Sequence, residues 1–145
     1  MECNNRRIKM SQFNAFLKQN KVQRKNIQFA ASENFKDKNG APILWEIRPL
    51  RTKEADYIRS ECTTIKNKKV DVDNAKFNRM IAAKCTVFPN LNDKELQDSY
   101  GVMGAEDLIV EMLDNDGEYQ LYCQKILEIS GYNKNDAQLV EEAKN

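Results

Sequence analysis

Apolar positions follow a two-residue period first and a helical period afterwards. Ile27, Phe29 and Ala31 alternate with Gln28, Ala30 and Ser32, and Ile43, Trp45 and Ile47 alternate with Leu44, Glu46 and Arg48. Between them lies Asp37-Lys38-Asn39-Gly40, and Asn-Gly is a strong turn signal because both residues accept positive φ. The pattern predicts a β-hairpin pairing about 27–35 with 43–48, closed by Pro49. Residues 63–66 and 70–72 alternate around Asn67-Lys68-Lys69, which predicts a second, polar hairpin; a mobile loop fits the same residues.

From residue 73 onward the spacing becomes helical. Asp73 caps a helix predicted to run to about 88, with Phe77, Met80, Ile81, Cys85 and Phe88 on one face and Pro89 as its stop. Asp93 opens a short helix through Tyr100. Gly104 precedes a helix with Ala105, Leu108, Ile109, Met112 and Leu113 on one face, broken by residues 114–117. Tyr119, Tyr122, Cys123, Ile126 and Leu127 mark the next helix, ended by Gly131, and Asn135 or Asp136 caps a last one to Ala143. Two helices precede this half. Ser11 caps a short one carrying Phe13, Phe16 and Leu17, and Thr52 caps one over 53–62 carrying Ala55, Ile58 and Cys62. Strands first and helices afterwards define an α+β fold: one or two N-terminal β-hairpins followed by a mostly α-helical C-terminal half. Residues 11–145 read as a single domain and residues 1–10 as a basic arm.

The chain has 145 residues, enough to bury a core without disulfides or metals. It has no histidine, which excludes Ser-His-Asp triads, Cys-His pairs and His-ligated zinc. Its four cysteines, at 3, 62, 85 and 123, form no C-x-x-C, and they read as reduced, structural residues. No apolar run approaches the ~18 residues of a membrane span, and residues 1–10 lack the apolar stretch of a secretory signal. A cytoplasmic protein with no membrane partner is expected.

Charge is unevenly distributed. Residues 1–25 carry +6, residues 26–89 carry +4 and residues 90–145 carry −9, for a net +1. Such asymmetry accommodates a partner or self-association, or simply two ends that lie near each other. A nucleic-acid partner is not expected, because the basic end lacks interleaved stacking aromatics and the acidic half repels phosphate.

No stretch of sequence carries a reaction. Asp114-Asn115-Asp116-Gly117-Glu118 suggests a calcium loop but fails its register: with Gly117 at position six, position one is Met112 and position twelve is Cys123. Gly101-Val102-Met103-Gly104 matches the RNA-clamping G-x-x-G only in its glycines, and its neighbours Asp98, Glu106 and Asp107 are acidic. It reads as a turn between helices, with Val102 and Met103 either plugging the core or forming a contact surface. P-loop, Rossmann and nucleophile-elbow motifs are absent from the sequence. No catalytic, metal-binding or cofactor-binding residue is assigned, and no enzyme activity is expected.

The most distinctive stretch is VFPNLNDKELQDSYGVMGAEDL, residues 87–108. It resembles the central motif of the XkdN-like tail assembly chaperones of contractile-tailed phages and defective prophages of Gram-positive bacteria. SQFNAFLK (11–18), FKDKNG (35–40), WEIR (45–48), GEY (117–119), EISGY (128–132) and LVEEAKN (139–145) resemble further parts of that family. The resemblance implies a non-enzymatic protein of the host cytoplasm. It would bind the tape-measure protein, keep that long helical chain soluble and leave before the tail is finished. It also implies a longer form made by ribosomal frameshifting, for which the codons of Lys144 and Asn145 are candidates. A holdase needs apolar anchors for an amphipathic helix, and Leu91, Leu96, Tyr100, Val102 and Met103 are the candidate client-binding residues, in a loop-rich stretch between patterned helices. Self-association into a homo-oligomer stays open, and the alternative functions are a nucleic-acid-binding or regulatory phage protein using the basic arm and the Lys66–Lys69 turn, or a structural tail component.

Overall fold

The computed structural model describes residues 12–132. Two antiparallel sheets come mainly from the first half of the chain, and helices dominate the second, so the fold is α+β. Strands β1 (Ile27–Phe29), β2 (Trp45–Ile47) and β5 (Thr86–Phe88) form one sheet in the order β1-β2-β5. Strands β3 (Thr63–Lys66) and β4 (Lys69–Val72) form a separate hairpin. The helices are α1 (Thr52–Cys62), α2 (Asn74–Cys85), α3 (Lys94–Ser99), α4 (Ala105–Met112) and α5 (Asp116–Leu127), and a wide turn, Glu128–Tyr132, follows α5. Helix α2 is central and packs against α1, α4 and α5.

Alternation explains the first sheet. Phe29 faces Trp45 and Ile27 faces Ile47 across the β1–β2 ladder. In β2 the odd positions are buried, Trp45 at 1% and Ile47 at 0% exposure, while Glu46 receives the side-chain amide of Gln28 at 3.1 Å. The turn at residues 37–40 is built by Asp37, whose carboxylate accepts the N–H groups of Asn39 (2.8 Å) and Ala41 (3.0 Å). Only Gly40 there has positive φ, at 82°. The second hairpin is tighter. Lys66 pairs with Lys69, so the loop is just Asn67-Lys68, both left-handed at φ 51° and 65° as a two-residue hairpin turn requires.

The core joins the sheet to the helices through aromatic rings. Trp45 meets Tyr122 of α5 edge-on at 5.6 Å, Phe29 stacks on Tyr122 at 5.9 Å, and Phe35 tilts against Trp45 at 5.7 Å. The Thr86 hydroxyl donates to the carbonyl of Ala82 at 2.7 Å, which leaves its oxygen to accept the buried Tyr122 hydroxyl. Around these rings lie Ile81, Cys85, Leu108, Ile109, Leu113 and Ile126, all nearly or wholly buried.

The structure corrects several sequence expectations. The helix expected to reach residue 88 ends at Cys85, and Thr86–Phe88 is a strand on β2. The backbone N–H of Arg48 takes the Cys85 carbonyl at 2.9 Å, and a residue before proline, here Phe88, disfavours helical geometry. Thr52 is the first residue of α1, not its cap; the Glu54 carboxylate accepts the Arg51 N–H at 3.1 Å instead. The break expected at residues 114–117 does separate α4 from α5, at Leu113–Asn115, but Gly117 itself lies in the first turn of α5, capped by Asn115. The Phe13–Phe16 stripe lies on a helical turn at residues 12–16, but both rings are exposed, at 64% and 83%. Gly131, expected to end this helix, lies instead in the wide turn after Leu127, where its φ of 99° breaks helical geometry. Ser11, Cys3, the arm at residues 1–10 and the helix expected from Asn135 or Asp136 lie outside the described residues.

Two tyrosines on α5 separate packing from hydrogen bonding. Tyr122 donates to Thr86, whereas the buried Tyr119 hydroxyl meets no stronger partner among the described residues than the Cys123 thiol. Tyr122→Phe should lower unfolding stability by about 1–2 kcal/mol because Thr86 loses its donor. Tyr119→Phe should change it by less than about 0.5 kcal/mol or raise it. Urea denaturation of both variants checks the contrast, and equal losses would contradict it.

Candidate binding groove

The candidate residues of the 87–108 stretch divide between core and surface. Asp93 caps α3 by accepting the Leu96 N–H at 2.9 Å. Gln97 holds the rest together: its amide nitrogen donates to the Leu91 carbonyl (2.8 Å), and its amide oxygen accepts the Gly104 N–H (3.1 Å). The Gln97 carbonyl accepts the Val102 N–H at 3.1 Å. This clamp folds the segment back on itself and inserts Leu91 into the core, 2% exposed. Leu96, Tyr100 and Val102 are half-buried against that core. Met103 is turned out to solvent, 91% exposed. So Val102 contributes to the core and Met103 to the surface, and Gln97, absent from the expected residues, positions them.

Met103 stands at one wall of a groove of about 810 Å³. Gly104, Ala105, Glu106 and Asp107 continue that wall. Lys53, Tyr57 and Ile58 of α1 and Met80, Ala83 and Lys84 of α2 line the same groove. Tyr57 is 61% exposed and Met80 half-buried, so an exposed ring and two methionines are among the residues that line it. Of the five expected residues only Met103 lines it; Leu91, Leu96, Tyr100 and Val102 do not. Tyr57 escaped the sequence reading because it lies off the Ala55-Ile58-Cys62 stripe that buries α1. Unbranched, polarizable methionine adapts to varied apolar partners.

Arg48, Glu54 and Lys84 are among the charged residues that line the groove. Arg48 clasps Glu54 in a fork, at 2.9 Å and 2.6 Å, and Lys84 approaches the same carboxylate at 3.9 Å. The hydrogen bond from Arg48 holds the Glu54 carboxyl below its ordinary value, against the opposing cost of burial, and the Arg51 N–H adds to the lowering. The Arg48 guanidinium is raised by the same partner. A carboxylate with a lowered folded-state pKa stabilises fully above its unfolded value and loses that contribution as pH falls through the folded one.

Cys62, Cys85 and Cys123 are buried free thiols. Burial pushes Cys85 to about 12 and Cys123 to about 11, and raises Cys62 in the same direction. None of the three is a poised thiolate nucleophile.

Comparison with known proteins defines the class of this chain. Residues 13–144 match the profile described as phage XkdN-like tail assembly chaperone protein. The chain belongs to that family. It is 31% identical to the phage-like element PBSX protein XkdN of Bacillus subtilis (strain 168) over 129 residues, 86% of this chain and 87% of that one. It is 30% identical to the uncharacterized protein YqbN of the same organism, over the same shares. The crystal structure of the protein YqbN superposes with a TM-score of 0.71 at 26% identity, covering 81% of this chain and 93% of that one. No helix among the described residues is long and apolar enough to cross a membrane.

Two outcomes follow from the site's electrostatics and burial. Glu54→Gln should cost roughly 1–2 kcal/mol at neutral pH through the lost fork and cap. It should also flatten the fall in stability that the parent shows as pH drops below about 4.5. Thermal unfolding from pH 3 to 7, taken as approximate limits, reads both effects. Separately, a thiol reagent at about pH 8 should label Cys62, Cys85 and Cys123 only after denaturant is added. Rapid labelling of the native protein at any of the three would contradict their burial.

Proposed function

We propose that this protein is the cytoplasmic chaperone of a tape-measure protein: it holds that long helical chain soluble until the tail tube assembles around it. Membership of the tail assembly chaperone family supports the class. The observation that supports the client reading is that exposed Met103 and exposed Tyr57 line the same open groove. An amphipathic helix binds such a groove through apolar side chains at i, i+3, i+4 and i+7. Glu106, Asp107, Lys53 and Lys84 on the rim then meet the polar flanks of the client.

In this reading Leu91, Leu96, Tyr100 and Val102 support the anchor rather than touch the client directly. They fix the turn that presents Met103. The protein makes and breaks no covalent bonds, and it leaves the assembly once the tube has closed on the tape-measure chain. A longer product extended by frameshifting near Lys144-Asn145 would share this groove and add a second attachment point.

Capture of a purified fragment of the cognate tape-measure protein tests the reading. Met103→Asp and Tyr57→Ala should each weaken capture at least about tenfold, or 1.4 kcal/mol. Tyr100→Ala should weaken it less, with some loss of stability. Unchanged capture by folded Met103→Asp and Tyr57→Ala proteins would remove the groove from the proposal. Mass spectrometry of purified tails should find the protein absent; stoichiometric retention would make it a tail component.

A further inference from the structure

The described part of the chain ends on a helix that also lines the groove. After α5, Ser130 Oγ accepts the Leu50 N–H at 2.8 Å, and Arg59 donates to the Tyr132 hydroxyl at 2.8 Å. Leu50 precedes α1 and Arg59 lies in its last turn, so residues 130–132 are held on α1. The same helix contributes Lys53, Tyr57 and Ile58 to the groove. An α-helix with its side chains is about 10–12 Å across. Residues 133–135 in extended form span about 10 Å, enough to bring residue 136 around α1 to the groove.

Residues 136–143 have the sequence pattern that such a groove accepts. Asp136 is placed to cap a helix there, and Leu139, Val140 and Ala143 then share one face. With about 3.6 residues per turn, Glu142 and Lys144 lie on opposite flanks of that face. The groove separates charge in a matching way: Lys53 and Lys84 come from α1 and α2, and Glu106 and Asp107 from α4. Glu54, which also lines it, is already clasped by Arg48. Apolar surface comes from Tyr57, Met80 and Met103, while Ala83, Gly104 and Ala105 add little bulk. The family match runs through residue 144, so this segment lies inside the matched region.

We infer that residues 136–143 form a helix that occupies the groove of their own chain, setting Leu139, Val140 and Ala143 against Tyr57, Met80 and Met103. Glu142 is directed to Lys53 and Lys84, and Lys144 to Glu106 and Asp107. The surface of Tyr57 and Met103 that is exposed among the described residues is what this helix covers. A short tether holds it near the groove at an effective concentration of about a millimolar, so a weak contact is enough to keep it there. A client helix of the same pattern displaces it. The docking stands on the chain's path and the sequence pattern; its role as a competitor rests on the client reading of the groove.

Amide hydrogen exchange of the full chain tests it. So short a helix is marginal alone in water, so slow exchange at residues 140–143 reports docking. These amides should exchange at least about tenfold more slowly in the parent than in a synthetic peptide of residues 133–145. Met103→Asp, Tyr57→Ala and Leu139→Ser/Val140→Ser should each remove most of that protection. Exchange at the peptide's rate in the parent would overturn the inference. So would protection that survives in folded Met103→Asp and Tyr57→Ala proteins, which would put the segment elsewhere on the fold. Protection that rises with protein concentration would overturn it too, by assigning the groove to the segment of a second copy. Competition has its own readout: Leu139→Ser/Val140→Ser should tighten capture of the tape-measure fragment about threefold or more, as emptying an occupied site does. If protection is seen and this variant captures no better than the parent, the docking stands and the client reading of the groove falls.

Discussion

The contact of Trp45 with Tyr122 is the constraint on which the rest of the structure depends. β2 is the middle strand of a three-stranded sheet, and its inward face consists of Trp45 and Ile47. So small a sheet has no stability of its own without a helix against that face. Tyr122 provides that cover from α5, and its hydroxyl reaches Thr86 on the other edge strand. One side chain thus touches Trp45 of β2 and Phe29 of β1 through its ring and β5 through its oxygen. Removing its polar atom and removing its ring are physically different injuries: the first strands an acceptor, and the second opens a cavity beneath tryptophan.

Polar ties reinforce the same joint. Glu118, at the start of α5, accepts the buried hydroxyl of Ser32 at 2.9 Å and the Glu33 N–H at 3.0 Å. Ser130, after α5, accepts the Leu50 N–H at 2.8 Å, and Arg24 reaches the Ile129 carbonyl at 3.1 Å. Each tie joins the strand half to the helical half across 80 or more residues of sequence. They fix the frame within which Gln97 presents the exposed Met103. A side chain held this way would lose little conformational freedom of its backbone on engaging a partner.

Local patterning in the sequence carried most of the elements. Alternation located both hairpins, and helical spacing located α2, α4 and α5, because each of these signals lies within one element. Thr86–Phe88 was illegible for the opposite reason. Phe88 continues the helical stripe of Phe77, Met80, Ile81 and Cys85, and only pairing with β2, about 40 residues earlier, converts the segment to a strand. Phe13 and Phe16 have helical spacing, but nothing local reveals whether a core lies beneath them. The groove was legible only at Met103. Tyr57, which also lines it, becomes visible once α1 and α2 are packed together, since a residue beside a buried stripe has no distinctive spacing. Leu91 and Met103 looked alike as apolar residues in a loop; the Gln97 clamp sends one inward and the other outward.

The buried aromatic joint also dictates when this polypeptide becomes a folded object during synthesis. Trp45 emerges from the ribosome long before Tyr122, and the hydrogen bond to Thr86 needs α5 as well. A nascent chain lacking α5 carries a sheet with its greasy side bare, so the core closes late in translation. Whatever is fused or appended beyond α5 is consequently made on a platform that has only just set. A member of a tail assembly chaperone family thus passes through an interval in which its own strands are exposed to aggregation.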